Sequence, residues 1–208
     1  MTEKKLYIFD FDDTLVRSSA QYILMKDNKP VRTLTESERG TLKLNQGESL
    51  NFDQFEDLAY LRDVELLDSY YRLLRFYNLG SDFLILTSRA TRDVLISFFH
   101  NRGIELLPEQ VICINSPDSG LSGSNSERKQ SVLRSILKSE NLQNSFQTKS
   151  TIDAALNRTQ SEQKNQTENQ SYSEVEIWDD SDANLNALKE LEHEFNVHII
   201  THNTSEDA

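Results

Sequence analysis

The chain has 208 residues, the size of one ordinary domain with room for an insertion. Its net charge of −12 argues against broad, nonspecific binding to nucleic acid or to an anionic membrane, and its hydrophobic content of 37% is low for a compact fold, a shortfall concentrated in polar segments. The single cysteine, Cys113, excludes an internal disulfide and lies in the apolar run Val111-Ile112-Cys113-Ile114, so a buried structural thiol is expected.

In chain order, Met1 to Lys5 lead into a strand too short for a signal-peptide core, and no stretch approaches a membrane span; the expectation is a cytoplasmic protein. The first strand, Leu6 to Phe9, runs into Asp10-Phe11-Asp12-Asp13-Thr14-Leu15. Carboxylates at a strand end are costly unless something compensates them, and a divalent cation does so well. The arrangement suggests one Asp as nucleophile and its neighbour as proton shuttle, with magnesium between them and a phosphate. An acidic turn, with Asp side chains capping nearby amides, is the alternative.

Residues 18–67 interrupt the pattern as a small cap or flap. Tyr22 to Leu34 predict a hairpin around Asp27-Asn28, followed by an amphipathic piece around Phe52, Phe55 and Leu58. Lys26, Lys29, Arg32, Arg39 and Lys43 make this insertion locally basic and place contacts to the non-reacting part of a substrate there. Beyond it, strands are predicted over Phe83–Leu86, Val111–Ile114, Val175–Trp178 and Val197–Ile200, each a continuous apolar run suited to burial on both faces. Helices are predicted over Asp68–Leu79 before Gly80, Thr91–Arg102 before Gly103, Ser126–Ser139 with Ser126 as cap, and Ser181–Phe195. Ser139 to Ser173, rich in Gln, Asn, Ser and Thr, reads as a mobile polar loop. The alternation predicts a single α/β domain, a Rossmann-like doubly wound parallel sheet.

The strand ends carry matching chemistry. Thr87-Ser88-Arg89 follow the second major strand, and Asp179-Asp180-Ser181-Asp182 follow the fourth. Converging on one sheet edge, the carboxylates would repel strongly without a hard cation. Each group has a plainer alternative as a cap of the helix that follows.

Asp10-Phe11-Asp12-Asp13-Thr14-Leu15, Leu84-Ile85-Leu86-Thr87 and Ile177-Trp178-Asp179-Asp180 together resemble the first, second and fourth motifs of the haloacid dehalogenase (HAD) superfamily of phosphotransferases. The resemblance implies that Asp10 attacks phosphorus to form an aspartyl-phosphate, and that Asp12 acts as general acid and then base. It implies that Thr87 hydrogen-bonds the phosphoryl group, with Ser88 and Arg89 beside it in substrate binding. Magnesium would be held by Asp10, the main-chain carbonyl of Asp12, and Asp180, with Asp179 nearby. Lys129 fits the third motif, with Arg128 as an alternative and Lys138 as a poorer one. Asp13 stands where Gly is frequent, and Ser88 where Gly often follows the threonine. An acid/base at Asp12 disfavours carbon–halogen chemistry, and the implied activity is magnesium-dependent phosphomonoester hydrolysis. The layout is also similar to phage-type HAD hydrolases and to the phosphatase half of phage-type polynucleotide kinase-phosphatases. Acidity favours a small phosphorylated substrate such as a nucleotide over a phosphorylated 3′ or 5′ nucleic-acid end, and a catalytically silent binding module is the reading from another class.

Overall fold

A computed structural model describes residues 4–35, 38–39, 42–139 and 172–205. The expected polar loop over Ser139 to Ser173 lies outside the described residues except at its ends.

The apolar runs form the strands of one parallel sheet: β1 (Lys5–Phe9), β7 (Phe83–Thr87), β8 (Val111–Cys113), β9 (Glu174–Asp179) and β10 (His198–Asn203). The spatial order is β10-β9-β1-β7-β8. Because alternate residues of a strand face opposite sides, each apolar run serves two cores. Leu6, Ile8, Leu84, Leu86, Val175 and Ile177 pack on one side with Leu133 and Ile136 of helix α3 (Asn125–Ser139) and Leu185 and Leu188 of helix α4 (Asp182–Lys189). Phe9, Phe83, Ile85 and Val111 face the other side with Leu73 of helix α1 (Asp68–Asn78) and Leu95, Phe98 and Phe99 of helix α2 (Arg92–His100). Helices on both faces make the fold the expected α/β type. Cys113 is buried in the second core, and burial pushes its thiol up to about 12, as befits a structural residue.

From β1 the chain builds outward through β7 and β8, then returns to the other side of β1 for β9 and β10. The direction therefore reverses between β1 and β9. The carboxyl ends of the strands flanking such a reversal leave a crevice, the usual ligand position of open α/β sheets. The register pairs Phe9 with Trp178, and the Asp10 amide donates to the Trp178 carbonyl at 2.9 Å, so Asp10 and Asp179 emerge side by side there.

The insertion folds as a small antiparallel unit. Strands β3 (Tyr22–Lys26) and β4 (Lys29–Leu34) form the expected hairpin, and Asp27 and Asn28 both take positive φ, 49° and 61°, as a two-residue I′ turn requires. Strand β5 (Glu48–Asn51) adds to the far edge of β3; its polar sequence gave no strand signal. The base is closed by a two-residue ladder between β2 (Val16–Arg17) and β6 (Glu65–Leu66). The amphipathic piece is two 3-10 turns, Asp53–Glu56 and Leu58–Leu61.

Three departures from the expected boundaries have a visible cause. Ser124, rather than Ser126, caps α3: its amide donates to Glu127 Oε2 at 2.7 Å and its hydroxyl accepts from the Glu127 amide at 3.3 Å, a reciprocal capping pair. The last helix splits into α4 and a short α5 (Leu191–Phe195). Gln130 Nε2 donates at 2.6 Å to the Ala187 carbonyl, the acceptor that a continuous helix would offer to Leu191. Finally, β10 runs on to Asn203, past the apolar run, because its backbone continues to pair with β9.

Candidate active site

Four polypeptide segments deliver side chains to the crevice. Asp10 directly follows β1, Thr87 ends β7, Asp179 ends β9 with Asp180 next to it, and Lys129 projects from the first turns of α3. Asp10, Thr87, Lys129 and Asp179 are all buried. Lys129 lies between carboxylates, its Nζ 2.7 Å from Asp179 Oδ2 and 3.0 Å from Asp10 Oδ1. A lysine with 1% exposure is rare unless paired, so its position is set by those two charges. Burial disfavours the ammonium, but Asp10 and Asp179 outweigh it and hold Lys129 charged above the usual lysine range.

Arg128, the alternative to Lys129, donates instead to Asn115 Oδ1 beside the site. Lys138 stands in the last turn of α3, away from the crevice.

Asp179 is fully engaged by the protein. Besides Lys129, it accepts from the Ser181 amide at 3.0 Å and from Asn184 Nδ2 at 2.9 Å. Asp180 is freer, and burial, reinforced by the neighbouring Asp179 and Asp13 charges, pushes its carboxyl up to about 6. Burial likewise raises Asp10 well above the ordinary aspartate range, with Asp179, Asp180 and Asp12 adding to it and Lys129 opposing. Three carboxylates thus face one ammonium. Oxygens of Asp10, Asp179 and Asp180 lie within 4.8 Å of one another. Asp10 Oδ1, near Lys129 Nζ but out of hydrogen-bonding line, is a buried oxygen without a hydrogen bond. An all-oxygen set of three carboxylates with excess negative charge fits a hard divalent cation.

The Asp12 carboxylate is not part of this cluster. Arg89 holds both its oxygens, Nε to Oδ2 at 2.9 Å and Nη2 to Oδ1 at 2.8 Å. The same guanidinium donates through Nη1 to the Phe55 carbonyl of the insertion. Arg89, expected beside the substrate, lines the cavity, and its fork is occupied by Asp12 and by the insertion. Next to it, the Ala90 amide donates to Glu56 Oε1 at 3.0 Å. Thr87 Oγ1 accepts from the Arg89 amide at 3.2 Å, and the Ser88 carbonyl accepts from Asn115 Nδ2 at 2.6 Å.

Asp13 takes φ 54°, the left-handed conformation that glycine adopts most readily.

Three further residues organise the site. Asn115 follows β8 and ties the Ser88 turn to Arg128. Its signal was available: it is the polar residue at the carboxyl end of the third major strand. Asn184 links Asp179 to Ser126 Oγ, 2.9 Å away. Thr204, beyond β10, shares a 3.1 Å hydroxyl–hydroxyl bond with Thr14 and donates to the Asp13 carbonyl at 3.3 Å, bracing the acidic loop from the far end of the chain. Neither of these two had a local signal.

A cavity of about 570 Å³ opens over these groups. Its wall includes Asp10, Asp12, Thr87, Ser88, Arg89 and Asp180 from the sheet edge, and Tyr22, Arg39, Phe52, Phe55 and Glu56 from the insertion. Lys26, Lys29 and Arg32, the hairpin cations expected to meet substrate, do not line it, and Arg32 is paired with Glu38 at 2.7 Å. Among the described residues, no helix is long and apolar enough to cross a membrane.

Compared with known protein families, curated proteins and solved structures, the chain matches none.

Proposed function

We propose that this chain is a magnesium-dependent phosphomonoester hydrolase of the HAD type. The observation that carries the reading is the buried Lys129 clamped between the strand-end carboxylates Asp10 and Asp179, with Thr87 and Asp180 opening onto the same cavity. With a divalent cation added to Lys129, such a site would take a phosphate while presenting an oxygen nucleophile.

Asp10 Oδ attacks phosphorus in line, forming the Asp10–phosphorus bond as the bond to the leaving oxygen breaks. Lys129 stays charged throughout and offsets the charge that builds on Asp10 and the phosphoryl oxygens. Thr87 donates a hydrogen bond from its hydroxyl to the phosphoryl group. Asp12 gives its proton to the departing alkoxide, then takes one from the water that attacks the aspartyl-phosphate and regenerates Asp10. For that work one Asp12 oxygen must be released from the Arg89 fork to carry the proton while the other stays held, so Arg89 positions the acid/base rather than the phosphate. Magnesium, held by Asp10 and Asp180 with Asp179 behind them, would neutralise the phosphate and orient it for attack.

The test is hydrolysis of an aryl phosphate by purified protein, with and without a chelator. The reading predicts metal-dependent turnover that Asp10→Asn abolishes. Turnover indifferent to metal removal and to Asp10→Asn contradicts it.

A further inference from the structure

The cavity is larger than a phosphoryl group needs; about 570 Å³ lies in the range that holds whole small-molecule ligands, roughly 300–1,000 Å³. The wall supplied by the insertion is aromatic. Tyr22 packs against Phe55 with ring centroids 4.7 Å apart and meets Phe52 edge-on at 5.6 Å. The Arg39 guanidinium lies 5.0 Å from the Tyr22 ring centroid. Phe52 keeps 45% of its surface exposed at this wall, leaving a ring face free for an apolar or aromatic ligand group.

Beside this shelf stands Glu56. One of its oxygens is used by the Ala90 amide, while Oε2 is buried without a hydrogen-bond partner. A buried acceptor left unpaired is costly, and a ligand hydroxyl or amino group would relieve it.

We propose that the non-reacting part of the substrate is a nucleoside. The base stacks on the Phe52, Phe55 and Tyr22 shelf, Glu56 Oε2 accepts a hydrogen bond from a ribose hydroxyl or a base amino group, and the monophosphate reaches Asp10. The inference rests on the phosphatase reading for the last of these contacts only. Charge selects a free nucleoside monophosphate over a phosphorylated polynucleotide end. An uncompensated carboxylate on the cavity wall repels a second phosphate. Arg89 is committed to Asp12, Lys26, Lys29 and Arg32 lie off the cavity, and the insertion's cation on the wall is Arg39, lying over the Tyr22 ring, which leaves a single guanidinium to meet a chain of phosphates.

The experiment compares adenosine and uridine 5′-monophosphates with ribose 5-phosphate and a 5′-phosphorylated oligonucleotide as substrates, and measures adenosine and uridine binding by calorimetry to the wild type and to Asp10→Asn. The nucleotides should exceed ribose 5-phosphate in kcat/KM by about tenfold or more, the size of one base stacked on an aromatic ring. One of the two nucleosides should bind both proteins. Phe52→Ala should shrink the preference and Phe52→Tyr should keep it; Phe52 is exposed, so neither change disturbs a core. Equal use of nucleotide and ribose 5-phosphate with no nucleoside binding overturns the inference while leaving the phosphatase reading intact. Better use of the oligonucleotide than of either mononucleotide overturns it in favour of a polymer end. Nucleoside binding without hydrolysis of any phosphate supports the shelf and overturns the phosphatase reading instead.

Discussion

At the scale of single residues, the site is a problem in charge balance. Removing Lys129 leaves Asp10 and Asp179 buried without their cation, so Lys129→Met should lower stability by ~3 kcal/mol near pH 7.5. The loss should shrink toward pH 5, because a protonated carboxyl needs no counter-charge; urea denaturation at the two pH values measures it, and an equal loss at both contradicts the charge argument. Asp180 carries a related prediction. Its carboxyl titrates near 6 in the folded chain, above the ordinary 3.8, so the folded state binds more protons than the unfolded state between those values. Its contribution to stability is present at low pH and lost as pH rises through about 6. A cation needs the ionised form, so the rise in Tm on adding magnesium should be larger at pH 7.5 than at pH 5.5 and small in Asp180→Asn. Equal shifts under all these conditions would remove Asp180 from the metal site. For Arg89, bidentate geometry matters more than charge. Arg89→Lys should therefore behave like Arg89→Gln, each losing on the order of tenfold in kcat with the fold intact by circular dichroism; full activity in the lysine variant argues against a positioning role. Asp10, Thr87, Asp179 and Asp180 were legible in the sequence because each follows an apolar strand. The Arg89–Asp12 pair was not, since its partners are 77 positions apart and only the folded turn brings them together.

At the scale of elements, apolar runs announced every strand of the main sheet, and glycines at positive φ, Gly80 and Gly103, closed the helices that they were expected to close. What escaped was structure maintained by long-range polar contacts. Strand β5 is polar and pairs only because β3 offers an edge. The break between α4 and α5 depends on a glutamine of another helix. The insertion was recognised as a unit; of the cations that stood out in its sequence Lys26, Lys29 and Arg32 sit on the hairpin off the cavity, while Arg39 lines it together with the aromatic side chains of Tyr22, Phe52 and Phe55. Replacing residues 18–57 with a short turn keeps the β2/β6 ladder and Leu61, which packs in the second core. The truncated protein should fold, retain turnover of ribose 5-phosphate to within about tenfold, and lose its preference for nucleotides. Retention of that preference, read from kcat/KM ratios, would place recognition outside the insertion.

At the scale of the whole molecule, the function proposed depends on where the sheet reverses direction. The parallel order β10-β9-β1-β7-β8 aligns the carboxyl ends of β1 and β9, and the helix leading back across the sheet sets Lys129 between them. The C-terminal Thr204 bonds to Thr14 and to the Asp13 carbonyl, so the first and last described parts of the chain brace one loop. On the function proposed, this arrangement makes Asp10 the nucleophile. The most direct measurement is to quench the protein during turnover of a phosphate monoester, reduce with borohydride, and map the modified residue by mass spectrometry. The account predicts reduction of an acyl phosphate at Asp10 alone, dependent on magnesium and absent in Asp10→Asn. Turnover with no modification at Asp10, or modification at another carboxylate, would contradict it.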